Sequence, residues 1–300
     1  MSLVRSLFKI KEIFFFFCFL QIIVFFCLWN NSRLVDLQIY LSSGSNYTLT
    51  LPNRDKARLD YFFRELMLHD GAIYTLVGNK PISLGGYFKP NQSFFLRIYQ
   101  SLFSSDFKMF LGLQIWLKYQ HLFPHSKFLL WVEQSPWIEK ANIILFVNKE
   151  KAASLVKNYS QDFCTVLEQD EISLDELLRR SKNYPFFLTV LKKHEGLIGT
   201  LLGYGRENAW LFHRRDLGED ISLSGWDQSE IFSYWQVKRR FFKNKWQDIS
   251  KSLFLPCFAA DLNSEETKEL KKDYQATREK IIATYKDKDF LETTLSLLMN

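Results

Sequence analysis

Polar side chains that could do acid–base chemistry are concentrated in residues 194–215 of this chain. The candidates for a catalytic site are His194, Arg206, Glu207, Asn208 and His213. A histidine near a carboxylate can act as an acid–base pair, and an arginine can hold an anionic group. The same side chains would also be favoured at a solvated helix end, because the helix dipole attracts cations to its C-terminus. The sequence leaves both interpretations open.

Three glycines precede these polar residues at helical spacing. Gly196, Gly199 and Gly203 fall at positions i, i+3 and i+7, so on a helix they would form one bare stripe. Each glycine inside a helix costs about 1 kcal/mol relative to alanine. The close approach of another backbone would offset this cost, and so would a ligand lying on the stripe. The short Gly203-Tyr204-Gly205 sequence does not follow a strand and is not a dinucleotide-binding motif.

Other residue patterns give weaker evidence for chemistry. His69 and Asp70 precede Gly71, and the end of a helix explains all three residues without catalysis. His121 and His125 have the four-residue spacing of some metal sites, but a proline between them interrupts the helix that such a site uses. The sequence therefore predicts neither a bound metal nor a cofactor.

Four cysteines add little to this prediction. Cys18 and Cys27 lie in an apolar segment, and Cys164 and Cys257 lie in the remainder of the chain. The last two could form a disulfide in an oxidising compartment, or both could be buried and reduced. No pair has the C-x-x-C spacing of a redox or metal site.

The apolar segment at residues 13–29 determines where the rest of the chain lies. It contains no charge and one amide, Gln21. At about 1.5 Å per residue, with help from its neighbours, it is long enough to cross a hydrocarbon core of about 30 Å. The preceding flank, residues 1–12, carries three basic residues, whereas Arg33 alone follows closely. The positive-inside rule then predicts a cytoplasmic N-terminus and an exported globular part, periplasmic in a bacterium.

Two other interpretations of this segment stay open. A cleaved signal peptide or a lipoprotein would share the basic start and the apolar stretch, but no small-x-small cleavage site follows. A buried core helix is disfavoured, because four consecutive phenylalanines leave no polar face. An uncleaved, single-pass signal anchor fits best.

Charge and composition describe an ordinary folded chain beyond the anchor. Charged residues make up 24% of the sequence and hydrophobic residues 47%, and the net charge of +6 is too dilute for a nucleic-acid-binding surface. One basic stretch with interleaved aromatic residues could contact an anionic membrane surface or an anionic partner. Its basic residues are Lys238, Arg239, Arg240, Lys243 and Lys245.

Hydrophobic periodicity predicts an α+β fold, with a small sheet of four to five strands and a mainly helical C-terminal half. We expect an α+β portion at residues 31–185 and a helical portion at 186–300, as two domains or one continuous fold. Strands are predicted at 72–77, 82–88, 128–132, 142–147 and 162–167. Helices are predicted at 53–69, 92–103, 105–122, 149–159, 173 onward, 187–203, 206–215, 228–248, 264–285 and 288–298.

Several stretches carry a resemblance to a known family. They are Arg54 to Phe63, Gly78-Asn79-Lys80-Pro81, Gly203 to Ala209, Leu255 to Phe258, and the Tyr274 to Tyr285 helix. In these residues the chain resembles an uncharacterised membrane-anchored protein family of chlamydia-like intracellular bacteria. The resemblance spans most of the folded part. It implies no activity and places the domain in a periplasm.

Two functions are compatible with the sequence. The first is a membrane-anchored exported domain that acts through protein–protein contacts. The second is a membrane-anchored hydrolase or transferase whose site lies in residues 194–215. A deep pocket lined by His194, Arg206 and Glu207 would favour the enzyme.

The predicted topology can be measured directly. A reporter that is active only outside the cytoplasm, fused after Asn300, should be active, and mass spectrometry should find residues 1–29 intact. An inactive fusion would reverse the orientation, and a shortened chain would mean a cleaved signal peptide.

Overall fold

The computed structural model describes residues 33–41, 46–89, 104–123, 127–225, 249 and 253–300. Four predicted features lie outside the described residues: the anchor at 13–29, the helices at 92–103 and 228–248, and the basic stretch from Lys238 to Lys245. Among the described residues, no helix combines the length and apolar character needed to cross a bilayer.

Strands and helices alternate along the first half, and helices dominate the second. The strands are β1 Leu34–Tyr40, β2 Asn46–Pro52, β3 Ile82–Phe88, β4 Phe128–Gln134, β5 Ala141–Asn148, β6 Ser224–Gly225 and β7 Ala259–Ala260. The helices are α1 Asn53–Arg64, α2 Ile73–Val77, α3 Ser105–Tyr119, α4 Lys149–Asn158, α5 Ser160–Leu167, α6 Leu174–Ser181, α7 Glu195–Leu201, α8 Arg206–Asp216, α9 Glu265–Tyr285 and α10 Phe290–Met299. Short π-helical turns at Glu65–His69 and Phe186–Val190 and a 3₁₀ turn at Gln120–Leu122 complete the fold.

A three-stranded antiparallel sheet forms the centre, in the order β3-β5-β4. Side chains of its middle strand β5 alternate between two separate hydrophobic clusters, as the two-residue period of a strand requires. Ile144 and Phe146 enter the first cluster, with α1, α3 and the C-terminal helices. Ile143, Leu145 and Val147 enter the second, with helices α4 to α7. The apolar run in β5 thus covers both faces of the sheet.

The last helix closes the first hairpin. Strands β1 and β2 pair with each other, and α10 packs against β1. The Gln38 backbone N–H donates to the Glu292 carboxylate at 3.1 Å, and the Tyr40 N–H donates to the Ser296 hydroxyl at 2.9 Å. The first hydrophobic cluster therefore joins residues from both ends of the described chain.

The α+β class and the helical C-terminal half are confirmed, but the strand predictions need correction. Instead of one sheet of four to five strands, the described residues form sheets of two, three and two strands. Residues 72–77 were predicted to form a strand, but Ile73–Val77 forms helix α2, and β3 pairs with β5. Residues 162–167 lie in helix α5. A segment of five or six apolar residues is too short for its periodicity to separate helix from strand.

The two-sided burial of β5 gives a stability prediction. Leu145 is fully buried in the second cluster, whereas Leu217 is 71% exposed. Leu145→Ala should lower the free energy of unfolding by about 2–5 kcal/mol, because the substitution leaves a cavity. The matched Leu217→Ala control should change it by less than about 0.5 kcal/mol. Urea unfolding followed by circular dichroism measures both, and similar losses would contradict this packing.

Candidate functional site

The segment 187–203, predicted as one helix, is broken in the structure. A π-helical turn ends at Val190, and Lys192 and Lys193 then adopt left-handed conformations, with φ of 50° and 52°. Helix α7 starts only after His194, whose Nδ1 accepts a hydrogen bond from the Leu197 N–H at 3.3 Å. His194 therefore acts as the N-cap of a short helix.

The glycine stripe is explained by a neighbouring helix. A Cβ placed on Gly199 would lie 2.8 Å from the Ala209 Cβ, so α7 and α8 approach each other closely at this point. Gly203 lies beyond the end of α7, with φ of 77°. The glycine stripe was interpreted either as a place where another backbone approaches closely or as a surface for a ligand. At Gly199 the first interpretation applies.

The structure brings two of the predicted site residues together. The imidazole rings of His194 and His213 have centroids 3.8 Å apart, and Trp210 lies 5.1 Å from His194. Burial, together with the His213 charge, lowers the pKa of His194 to about 4. His194 is consequently neutral at physiological pH. The His213 Nδ1 is buried and has no hydrogen-bond partner in the described part of the chain.

Arg206 and Asn208 belong to a separate, structural network. The Arg206 guanidinium forms a two-point ion pair with Asp162, at 2.5 and 2.9 Å. The Asn208 amide is fully buried; it donates to the Tyr204 carbonyl at 3.1 Å and accepts from the Asp261 N–H at 3.0 Å. These bonds join α8 to distant parts of the chain.

Glu266 of helix α9 caps helix α8 from outside. Its carboxylate accepts the backbone N–H groups of Arg206 at 2.8 Å and of Glu207 and Asn208 at 3.3 Å each. These donors are the orphan N–H groups of a helix start. Burial raises the pKa of Glu266, and the three hydrogen bonds oppose this effect. The Glu207 side chain itself is exposed.

The five predicted residues therefore do not form one site. His194 and His213 lie together, Arg206 and Asn208 belong to the structural network, and the Glu207 side chain is exposed. Three cavities lined by described residues each lack His194 and Glu207, and one of them includes Arg206. Arg206 lines a groove beside Glu266, and Asn208 lines a small apolar cavity beside Phe258. A catalytic role for this segment stays a prediction, without the deep shared pocket that would favour it.

A different cavity combines enclosure with unusual electrostatics. It has a volume of about 280 Å³ and lies beside the turn between α2 and β3. Its lining is mainly apolar, but it also includes four ionisable side chains and a thiol. The lining residues are Leu68, His69, Asp70, Gly71, Lys80, Leu84, Tyr204, Phe254, Leu255, Pro256 and Cys257.

The turn that carries Lys80 is held on two sides. Asn79 donates to Asp273 of α9 at 3.0 Å, and the Pro81 carbonyl accepts from the Asn148 N–H of β5 at 2.9 Å. Gly78 allows α9 to approach, because a Cβ there would collide with Thr277. The turn is thereby fixed between helix and sheet, and Lys80 has little access to solvent.

Lys80 is a buried amine at the cavity wall. Its side chain is 6% exposed. Burial lowers the pKa of Lys80 to about 8, although the negative charge of Asp70 opposes the shift. The ammonium lies 5.9 Å from the Tyr204 ring centroid. Lys80 lines this cavity together with Asp70 and Tyr204, and it also lines the groove beside Glu266.

Asp70 and Tyr204 are placed by close backbone contacts. The Asp70 carboxylate lies directly over Gly85 of β3, where any Cβ would collide with it. Burial and the nearby Cys257 thiol raise the pKa of Tyr204 to about 12, so its hydroxyl stays protonated. The cavity therefore offers an amine, a carboxylate and a phenol.

The sequence does not reveal this site as a whole. His69 and Asp70 were predicted at a helix end, which is where they lie: His69 ends the π-helical turn, and Gly71 follows with φ of 69°. The sequence assigns no role to Lys80. Cys164 is a free thiol that donates to the Asp170 carbonyl, so its disulfide with Cys257 is not formed.

Comparisons of this chain with protein-family models, with curated proteins and with solved structures give no match. Functional arguments about the chain therefore depend on its own geometry.

The histidine pair predicts a pH-dependent stability. Because the folded-state pKa of His194 is about 4 and the unfolded value about 6.5, the unfolded chain binds one more proton between these values. The free energy of unfolding should therefore rise with pH from about 4 to 6.5. His194→Asn keeps a good N-cap without this titration and should flatten the rise. Urea unfolding across this range gives the difference between the two proteins, and equal slopes would contradict the assignment.

Proposed function

We propose that this chain is a single-pass, membrane-anchored protein whose exported domain binds a small molecule in the Lys80 cavity. The observation that carries the proposal is a lysine, 6% exposed, at the wall of a 280 Å³ cavity that Asp70 also lines. Perturbed ionisable groups in enclosed, largely apolar pockets are the usual mark of ligand sites.

The lining defines the chemistry of the ligand. Five apolar side chains would surround a short hydrocarbon body: Leu68, Leu84, Phe254, Leu255 and Pro256. One acceptor group of the ligand would face Lys80, since a buried ammonium gains most from a negatively charged or strongly polar oxygen. The small volume limits the body to a few carbons. A short-chain carboxylic acid meets all three conditions.

The predicted anchor determines the compartment in which the proposed ligand-binding domain lies. Residues 13–29, with basic residues before them, support a cytoplasmic N-terminus and a domain outside the cytoplasm, as the proposed family resemblance also implies. A ligand of that compartment would reach the cavity without crossing the membrane.

Protein–protein contact is a second candidate function, supported by one surface. Exposed apolar side chains occur on the β4–β5 connection and around the π-helical turn: Trp137, Ile138, Tyr184 and Leu188. The Trp137 ring lies 5.5 Å from Phe187, which joins the two elements. Aromatic residues on such surfaces favour partner binding. The hydrolase or transferase alternative at residues 194–215 receives no comparable support.

Removing the buried charge tests the ligand proposal. Lys80→Met keeps the side-chain volume without the desolvated ammonium. A shift from the ordinary pKa to about 8 corresponds to a destabilisation of about 3 kcal/mol at neutral pH, so the variant should unfold at a higher temperature. It should also lose ligand binding. Thermal unfolding of the full-length chain in lipid nanodiscs measures both effects.

The probes are sodium butyrate and butan-1-ol, which share a four-carbon body. Butyrate should raise the unfolding temperature of the wild-type protein, butanol should raise it much less, and neither should stabilise Lys80→Met. Lys157→Met, an exposed lysine outside the cavity, should behave like the wild type. Equal butyrate stabilisation of all three proteins would rule out binding at Lys80.

A further inference from the structure

The Lys80 amine has the surroundings of a nucleophile as well as those of an ion-pair partner. Lysines become nucleophilic when an apolar pocket desolvates them, because the neutral amine is then favoured. At pH 7, with a pKa of about 8, about a tenth of the Lys80 side chains carry the neutral amine. Because Lys80 lines the cavity, the lone pair of its neutral amine can reach a molecule bound there.

Groups that could move protons line the same cavity. The Asp70 carboxylate acts electrostatically on the Lys80 amine. It is held over Gly85, and a side chain at that position would displace it. Tyr204 is protonated, and its ring centroid lies 5.9 Å from the nitrogen. A carboxylate and a phenol beside an amine are the groups that a condensation with a carbonyl compound requires.

We propose that Lys80 condenses with a small aldehyde or ketone in this cavity and forms an imine. This inference rests on the ligand-binding function proposed above and names a second class of ligand for the same site. The apolar lining suits the alkyl part of a short carbonyl compound.

The reaction needs no oxidant or reductant. The nitrogen lone pair attacks the carbonyl carbon, and the C=O electron pair moves to oxygen. Asp70 accepts a proton from nitrogen, while Tyr204 supplies one to oxygen, which gives the carbinolamine. Asp70 then returns its proton to that oxygen, the C–O bond breaks and water departs. The Tyr204 oxygen takes the second nitrogen proton, which restores both side chains. The product is a C=N bond between Lys80 and the ligand, and one water molecule is released.

Reductive trapping tests this inference. The full-length chain in nanodiscs is incubated at pH 7 with butanal and sodium cyanoborohydride, and peptide mass spectrometry locates the butyl adducts. Lys80 should be modified at least about tenfold faster than the exposed Lys157, because far more of its amine is neutral than that of an ordinary lysine. Modification of Lys80 at or below the rate of Lys157 would overturn the inference.

Competition and a second variant separate this inference from the ligand-binding proposal. Butyrate should slow the trapping of Lys80 without affecting Lys157. Lys80→Arg should lose the adduct at position 80, because a guanidinium does not form an imine under these conditions. Butyrate stabilisation without trapping at Lys80 would refute the imine and leave the binding function standing. Absence of both would refute the two together.

Asp70→Asn tests the proton-transfer step. The amide is nearly the same size, so it fits over Gly85 and the cavity is preserved. Trapping at Lys80 should slow by about tenfold or more. An unchanged trapping rate would remove Asp70 from the reaction, and faster trapping would show that its charge serves only to protonate the amine.

Discussion

The burial of β5 on both faces is the constraint on which the rest of the structure depends. Five consecutive apolar residues, Ile143 to Val147, alternate between two clusters, and neither cluster exists without this strand. Helices must therefore cover both faces of a sheet that is only three strands wide. Covering the second face requires α4 to α7, and covering the first requires chain segments from both ends. The turn containing Lys80 is enclosed because it enters the sheet between these two layers.

Two long-range polar contacts determine the geometry around this sheet. Glu266 reaches across from α9 to start α8, and the Tyr274 hydroxyl donates to the Gly203 carbonyl at 2.7 Å. Both hold the Gly203–Gly205 turn beside Lys80. The residues that looked catalytic in the sequence, Arg206 and Asn208, stabilise this junction. The polar side chains of Arg206 and Asn208 therefore contribute to the Lys80 cavity indirectly, by stabilising the chain segments next to it.

Much of the fold could be predicted from local patterns. The apolar runs at β4 and β5 were recognised, and so was the capped helix at Ser173, whose hydroxyl accepts the Glu176 N–H at 3.3 Å. Residues 72–77 could not be assigned correctly, because tertiary contacts determine their conformation: the Thr75 hydroxyl meets Ser83 at 2.8 Å in the core. The left-handed Lys192 likewise breaks a helix without any glycine or proline signal. Lys80 was missed for the same reason, since its burial arises from segments almost 200 residues away.

The contact between β1 and α10 has a consequence for biosynthesis. The hydrogen bond from Gln38 to Glu292 spans 254 residues, so the hairpin leaves the ribosome long before its covering helix does. At about 5–20 residues per second, the delay is on the order of 10–50 s. During this time the apolar faces of β1 and β2 have no native cover. The nascent domain must therefore be shielded by other proteins or by the membrane next to which it is made.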